Sequence, residues 1–153
     1  MIDKIKFSHK YGSDSHKYLI ALLRHVSETT EDLPDTITED EYTAVRTNPN
    51  TYADWYVGLV GFCASYNAKW FGGYANGVTT KIGTVRNYTD EAIRNIKKQA
   101  PTLEGIRFAC QNYADCSVDR FVIYCDPPYR YTTKYATGGF DYDKFLCLVQ
   151  RNV

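Results

Sequence analysis

Arg120-Phe121-Val122-Ile123-Tyr124-Cys125-Asp126-Pro127-Pro128-Tyr129 is the stretch on which the reading of this chain turns. Residues 120–125 form a nearly all-apolar run of strand length, as in the middle of a parallel sheet covered on both faces. The run ends in a carboxylate and two prolines, which carry no N–H and cannot continue a ladder. The carboxyl end of such a strand is where open α/β sheets bind ligands. Asp126-Pro127-Pro128-Tyr129 therefore has two readings. It is a plain strand terminator, or it is a rigid loop that offers hydrogen-bond acceptors without competing donors.

The second reading has a definite chemistry. An amine conjugated to an aromatic ring is a poor nucleophile, because its lone pair is delocalised. Two acceptors, each holding one N–H, draw the nitrogen toward tetrahedral geometry and free the lone pair for attack. Asp126 supplies one acceptor oxygen and the Pro127 carbonyl a second. Tyr129 is placed to stack on the base that carries the amine. A base paired in a duplex must first be extruded. Positioning and desolvation then supply most of the catalysis.

Working outward, residues 105–112 alternate as a strand. Residues 89–99 read as a helix, with Thr89 as N-cap, Asp90 and Glu91 at its positive end and Lys97 and Lys98 at its negative end. Pro101 stops it. Residues 66–87 lack a steady period and mix glycines, aromatics and cations. This is either a surface that tracks a nucleic-acid backbone or a structural loop whose rings fold back on the core. Residues 51–65 read as an apolar helix in which Gly58 and Gly61 permit close approach by another element. A short helix over 38–46 starts at Thr38 with Glu41 completing a capping box. Residues 15–28 give a helix with one apolar stripe of Leu19, Leu22, Leu23 and Val26. Before it, residues 10–14 form a short strand ending at Asp14, which either caps the helix (as Ser15 could) or holds a ribose hydroxyl. Met1, Ile2 and Ile5 have the spacing of a helix end. Downstream, a Tyr/Thr/Gly loop covers 130–139 and a last helix covers 141–151.

Composition bounds the reading. The 153 residues suit one domain, 44% hydrophobic and 24% charged. The net charge is zero, so the global balance does not advertise nucleic acid. Residues 28–41 are acidic, however, while 67–99 hold Lys69, Lys81, Arg86, Arg94, Lys97 and Lys98 against Asp90 and Glu91, enough for a local basic face. The 5 cysteines show no metal spacing. Cys63, Cys110, Cys125 and Cys147 lie in apolar runs, which suggests buried free thiols in a reducing cytoplasm. No signal peptide or long apolar run is evident.

Several segments together resemble the Dam-type DNA adenine-N6 methyltransferases. Asp126-Pro127-Pro128-Tyr129 is similar to that family's signature after an apolar strand. Tyr11-Gly12-Ser13-Asp14 resembles its second cofactor element. Lys69-Trp70-Phe71-Gly72-Gly73-Tyr74-Ala75, with Asn87-Tyr88 after it, resembles its recognition insert. Cys110-Gln111-Asn112-Tyr113 is similar to the end of its third strand, and Phe140–Phe145 to the segment after the catalytic loop. The pieces occur in the family's order.

The resemblance implies an α/β fold: a partial Rossmann-like sheet formed by 1–33 and 102–153, with a mainly helical target-recognition insert at 34–101. It implies methyl transfer from S-adenosylmethionine to adenine N6 in double-stranded DNA, within restriction–modification or by a solitary enzyme, with base flipping and direct displacement. Asp126, Pro127, Pro128 and Tyr129 would be catalytic, and Asp14, Asn112 and Asp126 would meet the cofactor. Lys69, Trp70, Tyr74, Lys81 and Arg86 would contact DNA, with no metal and no membrane. Asn112 departs from the family's usual acidic residue, although an amide still hydrogen-bonds an adenine edge. The family's Gly-rich first motif would precede Met1, and further strands would follow Val153. The chain is thus expected to be a fragment, completed by a complementary chain or surviving as a catalytically inactive DNA-binding remnant. Relatives that act on protein glutamine or RNA typically begin the tetrapeptide with Asn, so Asp126 favours DNA.

Overall fold

A computed structural model describes residues 9–116, 123–127 and 140–151. The elements are β1 (Tyr11–Asp14), α1 (Lys17–Glu28), α2 (Glu39–Thr47), α3 (Asp54–Cys63), β2 (Val78–Thr79), β3 (Val85–Arg86), α4 (Tyr88–Gln99), β4 (Arg107–Cys110) and α5 (Tyr142–Arg151). Pro128, Tyr129, the 130–139 loop, the 1–7 helix end and the first part of the 120–125 run lie outside the described residues.

β1 and β4 pair in parallel, from Tyr11 opposite Arg107 to Asp14 opposite Cys110. Parallel strands need a crossover connection. Here the crossover includes α1, α2, α3, the β2–β3 hairpin and α4. α1 is tied to the sheet where Arg24 Nε–H donates to the Phe108 carbonyl at 2.8 Å. A mixed structure with helices and small sheets results, in keeping with an α/β domain.

α1 buries two faces rather than the single stripe its leucines suggest. Ile20, outside that stripe, is 1% exposed and packs with Ile106 and Phe108 on the sheet side. Leu22 and Val26 join Leu33, Ile37, Tyr42, Val45, Val57, Leu59, Val60, Ala64, Ile93 and Ala100 in one larger cluster. A helix covered on both sides uses apolar positions that a one-sided helix would leave wet.

α3 is apolar nearly all round, as a helix enclosed by neighbours should be. Its glycines permit close approach. A Cβ at Gly58 would lie 2.2 Å from the Tyr18 carbonyl oxygen of α1, and one at Gly61 would lie 2.3 Å from the Trp70 ring. At α2, Thr38 Oγ1 accepts the Glu41 N–H at 3.2 Å, as the sequence suggests. Glu41's own carboxylate accepts instead from the Tyr56 hydroxyl. Burial, with that acceptor's help, pushes the phenol's pKa up.

Three local expectations are corrected. The α1 cap is His16, whose Nδ1 accepts the Leu19 N–H at 3.4 Å. The α4 cap is Asn87, whose Oδ1 accepts from the Thr89 and Asp90 N–H groups, so Thr89 falls inside the helix and is buried. The described part of the 120–125 run, Ile123–Cys125, lies in no strand; Ile123 and Tyr124 are 47% and 61% exposed. An apolar run becomes a central strand only by pairing under cover, and among the described residues only β1 and β4 form the parallel sheet. The thiols also divide: Cys63 is largely covered, whereas Cys110, Cys125 and Cys147 are exposed.

Candidate functional site

The carboxyl ends of β1 and β4 lie side by side. The Gln111 N–H donates to the Asp14 carbonyl at 3.0 Å, which fixes the two strand ends against each other. The exposed Asp14 carboxylate accepts the His16 N–H at 2.7 Å, turning the chain into α1. Asp14 thus has a local structural role without being the cap, and its carboxylate remains at the surface. His16 packs edge-on to Trp70 at 4.3 Å and to Phe62 at 5.1 Å. Burial lowers its pKa, and the Asp14 charge only partly opposes this.

Asn112 follows β4 at the same end. Its Oδ1 accepts the Ala114 N–H at 2.9 Å and caps the 3₁₀ turn Tyr113–Asp115. The side-chain oxygen is therefore engaged, and the amide N–H groups are what Asn112 has left to offer a ligand. Cys116 ties this corner together. Its sulfur lies 3.5 Å from Ser13 Oγ, accepts from Gln111 Nε2 at 3.0 Å and donates to the Asn112 carbonyl at 3.6 Å. Neither His16 nor Cys116 was singled out from sequence. His16 could have been found as a polar residue three before Leu19 at a helix start; nothing marked Cys116.

Asp126 follows Cys125 within the described segment 123–127. Although Cys125 is exposed, some desolvation and the Cys116 charge push its thiol's pKa up. Asp126 itself is exposed, and Pro127 is half-buried. On the other side, the Tyr113 hydroxyl donates to the Asp141 carbonyl at 3.1 Å and its ring packs on Phe140 and Phe145. This contact anchors the start of α5 beside the end of β4. The sheet end thus gathers a surface carboxylate at Asp14 and an amide at Asn112.

The residues expected at nucleic acid divide. Trp70 stacks on Tyr18 at 5.3 Å and lies over Gly61. The Tyr74 hydroxyl donates to the Ile37 carbonyl at 2.7 Å. Of the two readings of 66–87, these aromatics follow the one in which rings turn toward the core. The turn that carries them holds Asn67, Ala68 and Phe71 at positive φ (54°, 53° and 42°), a conformation costly for non-glycine residues unless packing enforces it. Lys69 is exposed beside them. Lys81 is exposed on the β2–β3 hairpin, next to Ile82, which is 85% exposed. Arg86 is exposed but held by Glu91 through two bonds of 2.7 and 2.6 Å, and this pairing raises its pKa. The basic face is therefore partly neutralised from within.

Among the described residues no cluster of His, Cys, Asp or Glu could hold a metal ion, and no helix is long and apolar enough to cross a membrane. The family described as D12 class N6 adenine-specific DNA methyltransferase matches the chain over residues 2–146. No curated protein and no solved structure matches it.

Proposed function

The chain belongs to the D12 class N6 adenine-specific DNA methyltransferases, and from that premise we propose how its residues divide the work. Asp126 and the Pro127 carbonyl each accept one N–H of the target adenine amine. Held this way, the nitrogen directs its lone pair at the methyl donor. Tyr129 stacks on the extruded base, and Pro128 stiffens the loop. The excess proton leaves after transfer, so the Asp126 carboxylate has only to accept hydrogen bonds. S-adenosylmethionine, when bound, supplies the electrophilic methyl group. Asp14 accepts from its ribose hydroxyls, and the Asn112 amide meets its adenine edge. An exposed carboxylate suits a diol, and an amide suits a heterocycle edge.

In the same reading, residues 34–101 serve target recognition. Lys69, Lys81 and Arg86 contact the phosphates of double-stranded DNA, where each cation adds affinity without sequence preference. Trp70 and Tyr74 act one step back, holding the turn that carries Lys69 against the helices. The observation that carries this reading is the convergence of Asp14 and Asn112 at adjacent carboxyl strand ends.

The test is transfer of tritiated methyl to unmethylated duplex DNA. Asp126→Ala should lower the rate by about 10²-fold or more, the scale for losing one preorganised hydrogen bond to the reacting group. Its melting temperature should stay unchanged, since Asp126 is exposed. Incorporation indifferent to that substitution would sink the mechanism. Duplex binding by the unaltered chain without any incorporation would leave it a DNA-binding protein.

A further inference from the structure

His16 joins the proposed cofactor end of the sheet to the segment proposed at DNA. On one side its backbone N–H donates to Asp14 Oδ1 at 2.7 Å, so the direction of that carboxylate depends on where residue 16 stands. On the other side its half-buried ring lies among three aromatic rings: Tyr18 of α1 at 6.0 Å, Phe62 of α3 at 5.1 Å and Trp70 at 4.3 Å. Its Nδ1 also caps α1 through the Leu19 N–H at 3.4 Å. A cap and a ring therefore hold residue 16 in place. The cap is local to α1, whereas the Trp70 contact comes from beyond α3.

Trp70 belongs to the turn that presents Lys69. The Phe71 N–H donates to the Gly61 carbonyl of α3 at 3.0 Å, and the Gly72 N–H donates to the Lys69 carbonyl at 2.9 Å. Three non-glycine residues of this turn, Asn67, Ala68 and Phe71, hold positive φ. Backbone in that region persists only where its surroundings enforce it. The Trp70 ring supplies part of that enforcement by packing on His16, Tyr18 and Phe62. A change at the turn thus reaches Asp14 through two contacts, the Trp70 ring on His16 and the His16 N–H on the carboxylate. Resting on the readings of Asp14 as the ribose acceptor and of Lys69 as a DNA contact, we propose that His16 is a positioning residue through which cofactor and duplex binding support each other. A duplex that fixes the turn fixes the His16 ring, and with it the direction of the Asp14 carboxylate. A ligand that meets an already ordered site loses less conformational freedom, so each ligand tightens the other by the same factor. The ring carries this link, and the cap serves the helix.

The experiment measures binding of S-adenosylhomocysteine, which lacks the transferable methyl group, to the full chain with and without a saturating mixed-sequence duplex. In the unaltered chain the duplex should tighten this binding about 5- to 150-fold. Two substitutions separate the ring from the cap. His16→Asn keeps a good capping acceptor and removes the ring; the duplex should then no longer tighten cofactor binding. His16→Phe keeps a ring and removes the acceptor; it should melt about 2–4 °C lower and still show the tightening. Melting curves confirm that both variants are folded at the assay temperature. Tightening that survives His16→Asn overturns the proposal. So does tightening lost in His16→Phe, because a purely structural role would follow the cap and the melting temperature. An unaltered chain that binds both ligands independently overturns the proposal and leaves the methyltransferase reading standing. Absence of cofactor binding, or cofactor binding indifferent to Asp14→Ala, overturns the reading of Asp14 and the proposal with it.

Discussion

Cys63 and Cys110 belong to two regions that use similar residues in different ways. Cys63 ends α3 inside the helical layer, where Ile37, Val45, Val57, Leu59 and Val60 are all 0% exposed. Cys110 ends β4 at the sheet's carboxyl edge, where Asp14 and Asn112 are both exposed. The helical layer is held by packing, with side chains meeting at contact distance. The strand ends are held by backbone bonds, a cap and a few sulfur contacts, leaving charged groups in water. Stability therefore resides mainly in the first region and the proposed chemistry in the second, so substitutions should separate the two.

The largest expected contrast is in thiol reactivity. Burial pushes the Cys63 thiol up to about 12, whereas Cys110 is exposed. Near pH 8 the thiolate fraction of Cys63 should be about 10³-fold below that of an ordinary thiol. Maleimide labelling followed by peptide mass spectrometry should mark Cys110 and spare Cys63 in the folded chain, and mark both in denaturant. Equal native labelling would erase the distinction between the regions.

The next contrast is in stability. Gly58→Ala forces a Cβ against the Tyr18 carbonyl oxygen, and that backbone atom cannot swing aside. About 3 kcal/mol should be lost, or some 6–12 °C in melting temperature for a chain of this size. Asp126→Ala should shift it by no more than about 2 °C.

Trp70→Ala sharpens the comparison at the boundary. The half-buried ring packs on Tyr18, His16 and Phe62, and its loss should destabilise by about 2–3 kcal/mol, below the range for a fully buried tryptophan. A melting temperature that does not move, together with a drop in duplex affinity, would return Trp70 to the base-stacking role its neighbours in sequence suggest. The smallest effect is Thr38→Ala. Removing this cap from α2 should cost about 1 kcal/mol by thermal melting and leave methyl transfer unchanged.

Legibility in sequence followed the range of the interaction. β1, α1, α2, α3, α4 and β4 could all be placed from periodicity and caps, because those signals lie within a turn or two of the residue concerned. The caps of α1 and α4 fall one or two residues from the positions that local order suggests. Adjacent polar residues compete for the same N–H groups, and geometry settled on His16 and Asn87. The β2–β3 hairpin escaped notice because its strands are only two residues each. The second face of α1 escaped notice because it is defined by what packs there.

The sequence by itself determined the chemical vocabulary of this protein: an acceptor loop at Asp126-Pro127, a carboxylate at Asp14, an amide at Asn112 and cations through 67–99. These are properties of residue type and local order, and no folding is needed to see them. Only the tertiary structure decided which of them meet. It set Asp14 beside Asn112 through a strand pairing that spans nearly a hundred residues. It turned Trp70 and Tyr74 inward, because α3 offered glycine and α1 offered an aromatic face. Contacts between distant segments depend on packing in three dimensions, and no local pattern in the chain encodes them.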